Sequence, residues 1–392
     1  MPRSEREDAV NPESLAWNER LVGLPGGAAR LDSPALVLDL DAFEANLAQM
    51  AAFARAQGVK LRPHAKTHKS VTVARRQLEA GEVVGFCCAK LGEAEALARG
   101  GIDGILLTAP LRGESKLGRL LALHRALREL FVVVEDPENV RELAAAFAGA
   151  DRPLSVLVVV DVGSHRFGVT SLEAAVELGR LVAAQPGLEL RGIQGYAGRI
   201  QHLRSYEERA ATTRAVNAQL AAIRDAFRAA GLPCPIVTGS GTGTHDVDGR
   251  LGVFTELQVG SYPFMDVDYL ACDLTGDGTA RFRAALFVWT RVVSNRHRGF
   301  VTTDAGSKCF AMDGPAPLVA AGAPPGSTYA MFGDQFGRIE LPPGHDGLPI
   351  GTLVRCIAPH CDPTVNLWDH LVAVRGDGVE AIWPIEGRGA VA

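Results

Sequence analysis

Leu130-Phe131-Val132-Val133-Val134-Glu135 is a continuous apolar run ending on an acid, and a helical segment at 137–148 and a second strand-like run at 155–161 follow it. Strand, helix and strand in succession are the repeat of an α/β sheet. Runs of the same kind stand at 59–61, 83–89 and 105–108 before it, and at 190–196, 236–238 and 254–259 after it. Helical segments at 92–98, 117–127, 172–184 and 206–230 fall between most of them. Eight strands alternating mainly with helices over about 210 residues match the number and size of a (β/α)8 TIM barrel. An open doubly wound sheet would carry a Gly-x-Gly-x-x-Gly turn after its first strand, and none is present.

Working outward, Leu36-Val37-Leu38-Asp39-Leu40 reads as a ninth strand, with Asp41 as N-cap of a helix running to residue 56. After residue 271 short β-branched runs at 284–290, 300–303, 352–357 and 371–374 are separated by Gly, Pro and Asp, which reads as a mostly β domain. The expected division is a barrel at 41–270 and a β domain at 271–392 together with 1–40.

The 392 residues are 22% charged and 47% hydrophobic, an ordinary globular balance with room for two domains. A net charge of -5 without a basic stripe argues against a nucleic-acid partner. The first thirty residues form a polar lead-in without the apolar core of a signal peptide, and no run approaches a membrane span. Seven cysteines without Cys-x-x-Cys spacing fit a reducing cytoplasm.

Active sites of such barrels sit at the C-terminal ends of the strands. The first barrel strand leads into Leu61-Arg62-Pro63-His64-Ala65-Lys66-Thr67-His68-Lys69-Ser70. A lysine at a strand mouth among polar neighbours is what covalent catalysis through a Schiff base requires. After the seventh strand comes Gly239-Ser240-Gly241-Thr242-Gly243-Thr244, and after the eighth Gly260-Ser261-Tyr262. Loops after strands seven and eight are the usual phosphate position in this fold, where glycines let backbone N–H groups approach phosphate oxygens. Lysine and phosphate cradle together are the signature of pyridoxal 5'-phosphate. A lysine aldolase acting directly on a phosphorylated sugar would want its lysine near the sixth strand, which here ends in Tyr196. In the β domain, His360 and Asp362 stand at i and i+2 of a segment read as extended, so both point to one side and could share a divalent ion.

The stretch 61–70 resembles the Pro-His-x-Lys-Thr-His-Lys signature of fold-type III pyridoxal-phosphate enzymes of the D-threonine aldolase and D-serine dehydratase family, built on the alanine-racemase barrel. Ser33 to Asp41, Gly239 to Thr244, Gly260-Ser261-Tyr262, Asp304-Ala305-Gly306 and His360 to Asn366 match in order. The likeness through Gly192 to Tyr196, His360 to Thr364 and Trp383-Pro384 is strongest to the 3-hydroxy-D-aspartate aldolase branch. The resemblance implies Lys66 as the lysine that carries the cofactor, Arg166 on its ring oxygen, Tyr196 lining it, and Gly241, Thr242, Gly260, Ser261 and Tyr262 around its phosphate. It implies His360 and Asp362 as the metal pair, a head-to-tail homodimer, and membership of the strand at 36–40 in the β domain. The dehydratases carry His-x-Cys where this chain has His-x-Asp, and that harder set favours Mg2+ or Mn2+ over Zn2+. The family's Asp-Glu-His-Gly segment is here Asp334-Gln335-Phe336-Gly337.

The implied reaction is retro-aldol cleavage of a small 3-hydroxy-D-amino acid. D-threonine would give glycine and acetaldehyde, and 3-hydroxy-D-aspartate would give glycine and glyoxylate. His202, or a water on the metal, is the candidate base, and Arg62 and Arg199 are candidates for a second substrate carboxylate or for solvated surface. The rival is a metal-dependent dehydratase releasing a 2-oxo acid and ammonia.

Overall fold

The computed structural model describes residues 12–279 and 281–392. The lead-in read at 1–30 lies outside the described residues as far as residue 11, and a helix, Pro12–Glu19, follows. Strand β1, Ala35–Asp39, gives way at once to the helix Leu40–Gln57. The cap is Asp39, not Asp41. Its Oδ1 accepts the N–H of Ala42 at 2.9 Å, because Asp39, the last residue of β1, stands directly before the first helical residue, Leu40. Asp41 instead joins Glu44 and Glu380 around the Arg375 guanidinium.

The parallel sheet holds eight strands: β2 (Lys60–Leu61), β3 (Phe86–Cys88), β4 (Ile105–Leu107), β5 (Leu130–Val134), β6 (Leu154–Val159), β7 (Leu188–Gly195), β8 (Ile236–Gly239) and β9 (Glu256–Leu257). They neighbour one another in chain order from β3 to β9, and β2 lies beside β9. Parallel bridges Leu61↔Val83 and His64↔Cys87 bring β2 back to β3, with Cys87 N–H donating to Pro63 O at 2.8 Å, which turns the sheet into a barrel. β5 is buried along its whole length, as a strand covered on both faces must be. Cys87, Leu106, Phe131, Leu157, Val159 and Ile236 form a core inside it. Gly192 sits at the register shift between β6 and β7 with φ 136°, and a Cβ there would lie 1.9 Å from Ile236 O, so only glycine fits this bulge.

Residues 46–262, 269–282 and 386–392 make up this barrel unit. The other unit comprises residues up to 45, 263–268 and 283–385. Its strands are β1, β10 (Leu286–Ser294), β11 (Phe300–Thr303), β12 (Leu318–Ala321), β13 (Thr328–Met331), β14 (Gly337–Glu340), β15 (Leu353–Ile357), β16 (His370–Arg375) and β17 (Gly378–Pro384). They run in the order β13-β14-β11-β10-β1-β16-β17, with β15 joining β10 to β12. β1 thus pairs antiparallel with β10 and parallel with β16 in the β unit. Leu21, Leu31, Val37, Trp289, Val372 and Val379 pack beneath it. The Asp304-Ala305-Gly306 motif is a brace here: the Asp304 carboxylate accepts from Ser33 Oγ and Thr290 Oγ1 at 2.6 Å each and from Arg291 N–H at 2.9 Å. Among the described residues no helix is long and apolar enough to cross a membrane.

Candidate active site

The strand ends converge on a cavity of about 220 Å³ in the barrel unit. His64 and Lys66 enter it from behind β2, Thr108 from behind β4, Arg166 from behind β6, Tyr196 from behind β7 and Gln258 from behind β9. Lys66 stands in the 3-10 turn Ala65–Thr67, half-buried, its N–H 3.4 Å from His64 Nδ1. His64 Nε2 lies 3.3 Å from Thr108 Oγ1. Lys69, with φ 52°, folds back so that its ammonium bonds Lys66 O and stands 3.9 Å from Glu93. Lys69 therefore shapes the lysine turn, while Lys66 faces the cavity. His68 is buried, its Nδ1 accepting from Ser70 N–H at 3.1 Å.

Arg166 is exposed at the rim with its guanidinium 4.5 Å from the Phe167 ring centroid. Tyr196 is half-buried, and its carbonyl accepts from Ser164 Oγ at 2.8 Å. His202 packs on Tyr269 with ring centroids 4.3 Å apart and is not among the residues lining this cavity. Arg62 does not line this cavity. It is buried in a two-pronged bond to Glu256, at 2.8 and 3.0 Å, and its NH1 bonds Gly104 O. Burial disfavours its charge, but Glu256 outweighs that and raises its pKa. Arg199 is exposed.

The glycine loops after β8 and β9 form a cradle. Among the described residues the backbone N–H groups of Gly241, Thr242, Gly260 and Ser261 make no hydrogen bond, although Gly241, Thr242 and Ser261 are buried. Thr67 Oγ1 is buried and also unsatisfied, and a Cβ on Gly260 would sit 3.0 Å from it. Donors left unmatched at such a place call for an anion, because a buried polar group without a partner costs about 1–3 kcal/mol. The cradle thus adjoins the lysine turn itself. Tyr262 braces it from behind: its N–H donates to Thr242 Oγ1 at 3.1 Å, and its hydroxyl accepts from Gln77 at 3.0 Å in a buried site that raises its pKa.

Sequence reading missed the scaffold behind the loop. Gln201 accepts from Gly243 N–H at 3.0 Å and donates to Thr244 Oγ1 at 3.1 Å and to Ala197 O at 3.3 Å, which ties the loop after β7 to the loop after β8. Thr244 Oγ1 donates to Asp248 at 2.6 Å, and Asn217 donates to its other oxygen at 2.6 Å. Burial pushes the Asp248 carboxyl up to about 6, against the pull of these bonds. Burial likewise holds His245 down at about 4, so the ring is neutral at pH 7 and its Nδ1 donates to Thr242 O at 2.8 Å. Gln194 and Gln258 also line the cavity. Their signal was legible, since each is a polar residue at the end of an otherwise apolar strand.

In the β unit, His360 keeps an extended backbone, with φ −146° and ψ 125°, but the helix Cys361–Val365 starts right after it. His360 and Asp362 therefore do not share one side of an extended segment as expected, because Asp362 lies in the first helical turn. Asp362 is 9% exposed, and Cys361 is turned into the core with its thiol on Met265 O. His360 Nδ1 lies 2.9 Å from Asp313 Oδ2. Among the described residues no group of three or more His, Cys, Asp or Glu is gathered to hold a metal. The His and Asp donors are of the kind that suits an ion completed by water and substrate. Asp334 to Phe336 lie in the β13–β14 turn and Gly337 opens β14, with Phe336 exposed and Phe332 N–H donating to Phe336 O at 3.0 Å.

A lysine and an anion cradle at the mouth of a parallel barrel, followed by a β sheet unit, define a racemase-type barrel enzyme. Residues 38–267 match the alanine racemase N-terminal domain, and residues 285–374 match a serine dehydratase domain. The chain is 39% identical over 371 residues to 3-hydroxy-D-aspartate aldolase of Paracoccus denitrificans, covering 93% of this chain and 95% of that one. It is 40% identical over 361 residues to D-threonine aldolase of an Arthrobacter species, covering 92% and 94%. The crystal structure of D-threonine aldolase from Filomicrobium marinum superposes with a TM-score of 0.86 at 38% identity, covering 93% and 97%. The chain belongs to the alanine-racemase-like family, in the branch of these aldolases, and is a carbon–carbon lyase.

Proposed function

We propose that this lyase cleaves 3-hydroxy-D-amino acids to glycine and an aldehyde, using pyridoxal 5'-phosphate and a divalent metal. The observation that carries the reading is the adjacency of the Lys66 turn to a cradle of uncommitted N–H groups. Lys66 would hold the cofactor covalently. Gly241, Thr242, Gly260, Ser261 and Thr67 would hold its phosphate, Tyr262 would brace them, and Arg166 and Tyr196 would flank its ring. When bound, the cofactor supplies an electron sink for the pair left on Cα as the Cα–Cβ bond breaks. His360 and Asp362 would hold the metal, Mg2+ or Mn2+ by donor hardness with Zn2+ as the alternative, and its charge would make the 3-hydroxyl more acidic.

The protein's part is binding and proton movement. Lys90 at the cavity rim would supply positive charge for a substrate carboxylate. The proton leaving the 3-hydroxyl balances the one gained at Cα; of the two candidates to take it, a water on the metal or His202, the water is favoured because His202 does not line the cavity. D-threonine or 3-hydroxy-D-aspartate is the substrate under this reading, and the relatives' names support each. The family likeness also supports a homodimer, which would sediment at twice the chain mass, and the cysteine usage supports a cytoplasmic setting.

The test is glycine release across a panel of 3-hydroxy-D- and L-amino acids, with and without chelator, with Lys66→Ala as the blank. Glycine and aldehyde from D-isomers only, lost on chelation, are expected. The match of 285–374 to a serine dehydratase domain favours a dehydratase as second reading. A 2-oxo acid and ammonia without glycine would establish it in place of the first.

A further inference from the structure

We propose that Asp313 is the positioning residue of the metal centre, holding the His360 ring so that Nε2 is the nitrogen presented to the ion. This rests on the reading of His360 as a metal ligand. Asp313 lies in the connection between β11 and β12, 47 residues before His360, and its Oδ2 stands 2.9 Å from His360 Nδ1. An ionised carboxylate can only accept, so the proton of the neutral imidazole must sit on Nδ1. Nε2 then carries the lone pair, which is the form a metal needs. A carboxylate on the far nitrogen of a ligating histidine fixes the ring's orientation and raises its basicity.

The pair has little to do with folding. The side chains are 31% and 56% exposed, and an ion pair in that setting adds almost nothing to stability. Asp313 can therefore be changed without disturbing the sheet around it. A role as a direct ligand is the competing possibility, and it separates chemically from a role in orientation. Asn at this position keeps an oxygen that accepts from Nδ1–H but is a poor ligand for Mg2+ or Mn2+.

The experiment is Mn2+ titration of the chelator-stripped, cofactor-loaded protein, followed by calorimetry and by the loss of free-Mn2+ paramagnetic resonance. His360→Ala should abolish specific binding. Asp313→Ala should weaken it by about 10- to 100-fold, and Asp313→Asn should stay near the wild-type affinity. The urea midpoint should be unchanged in both Asp313 variants. Wild-type affinity in Asp313→Ala would overturn the proposal. Equal loss in Asp313→Asn and Asp313→Ala would also overturn it, in favour of direct ligation. If the wild type itself binds no Mn2+, the metal reading of His360 falls and this inference falls with it.

Discussion

At the residue scale, two buried groups behind the cradle titrate in opposite senses. Asp248 ordinarily loses its proton near 3.8, and in the fold near 6. Between those values the native chain keeps a proton the unfolded chain has released. The stability linked to it is full below pH 3.8 and falls by about 3 kcal/mol as pH rises through 6. His245 shifts from 6.5 down to about 4, so the unfolded chain takes up a proton the native chain refuses. Its share is present above 6.5 and is lost, again by about 3 kcal/mol, as pH falls through 4. The two nearly cancel between pH 4 and 6. Asp248→Asn removes only the first, so the variant's urea stability should rise relative to wild type from pH 4 to 6, and parallel curves would show that Asp248 does not titrate there. Lys66 was legible because a strand end and a basic cluster are local features. Gln201, Asp248 and Thr67 were not, because nothing local marks a side chain that works through distant partners: Gly243 for Gln201, 42 residues away, Asn217 for Asp248, 31 residues away, and Gly260 for Thr67.

At the element scale, the lysine turn is held by the end of the chain. The helix Val71–Ala80 has no cap from Ser70, and Glu386 supplies one, accepting from Val71 N–H at 2.9 Å. Gly387 N–H donates to Lys69 O at 2.8 Å, and Gly92 N–H donates to Ala392 O at 3.0 Å. Losing a helix cap costs about 1 kcal/mol. Glu386→Ala should lower stability by that amount and speed amide hydrogen exchange across residues 64–74, whereas Glu386→Gln should do neither. Unchanged exchange in the alanine variant would show that the tail merely lies there. The motif at 61–70 was readable as a strand leading into a turn and a helix. Its clamp was not, since it is 315 residues distant in sequence.

At the scale of the whole molecule, the barrel closes where its strands are shortest. β2 has two residues, and only isolated bridges join it to β3. Arg62 compensates inside the barrel: it grips Glu256 on β9 and Gly104 O ahead of β4, with its guanidinium 4.7 Å from the Phe131 ring centroid. Arg62→Met strands a buried carboxylate and should cost about 3–5 kcal/mol, and adding Glu256→Leu should recover much of it. No recovery in the double variant would mean that the pair is not the closing element. What the sequence determined by itself was the class of fold, the order of the strands and the position of Lys66. Apolar runs, helix periodicity and glycine-rich strand ends are short-range patterns, and each persists whatever the rest of the chain does. Tertiary structure decided the partners: Arg62 with Glu256, Asp313 with His360, Glu386 with the helix after Lys66, and the helical rather than extended start at Cys361. Those choices depend on which groups are buried together and must satisfy one another there, a condition set by packing across the chain and not by neighbours along it.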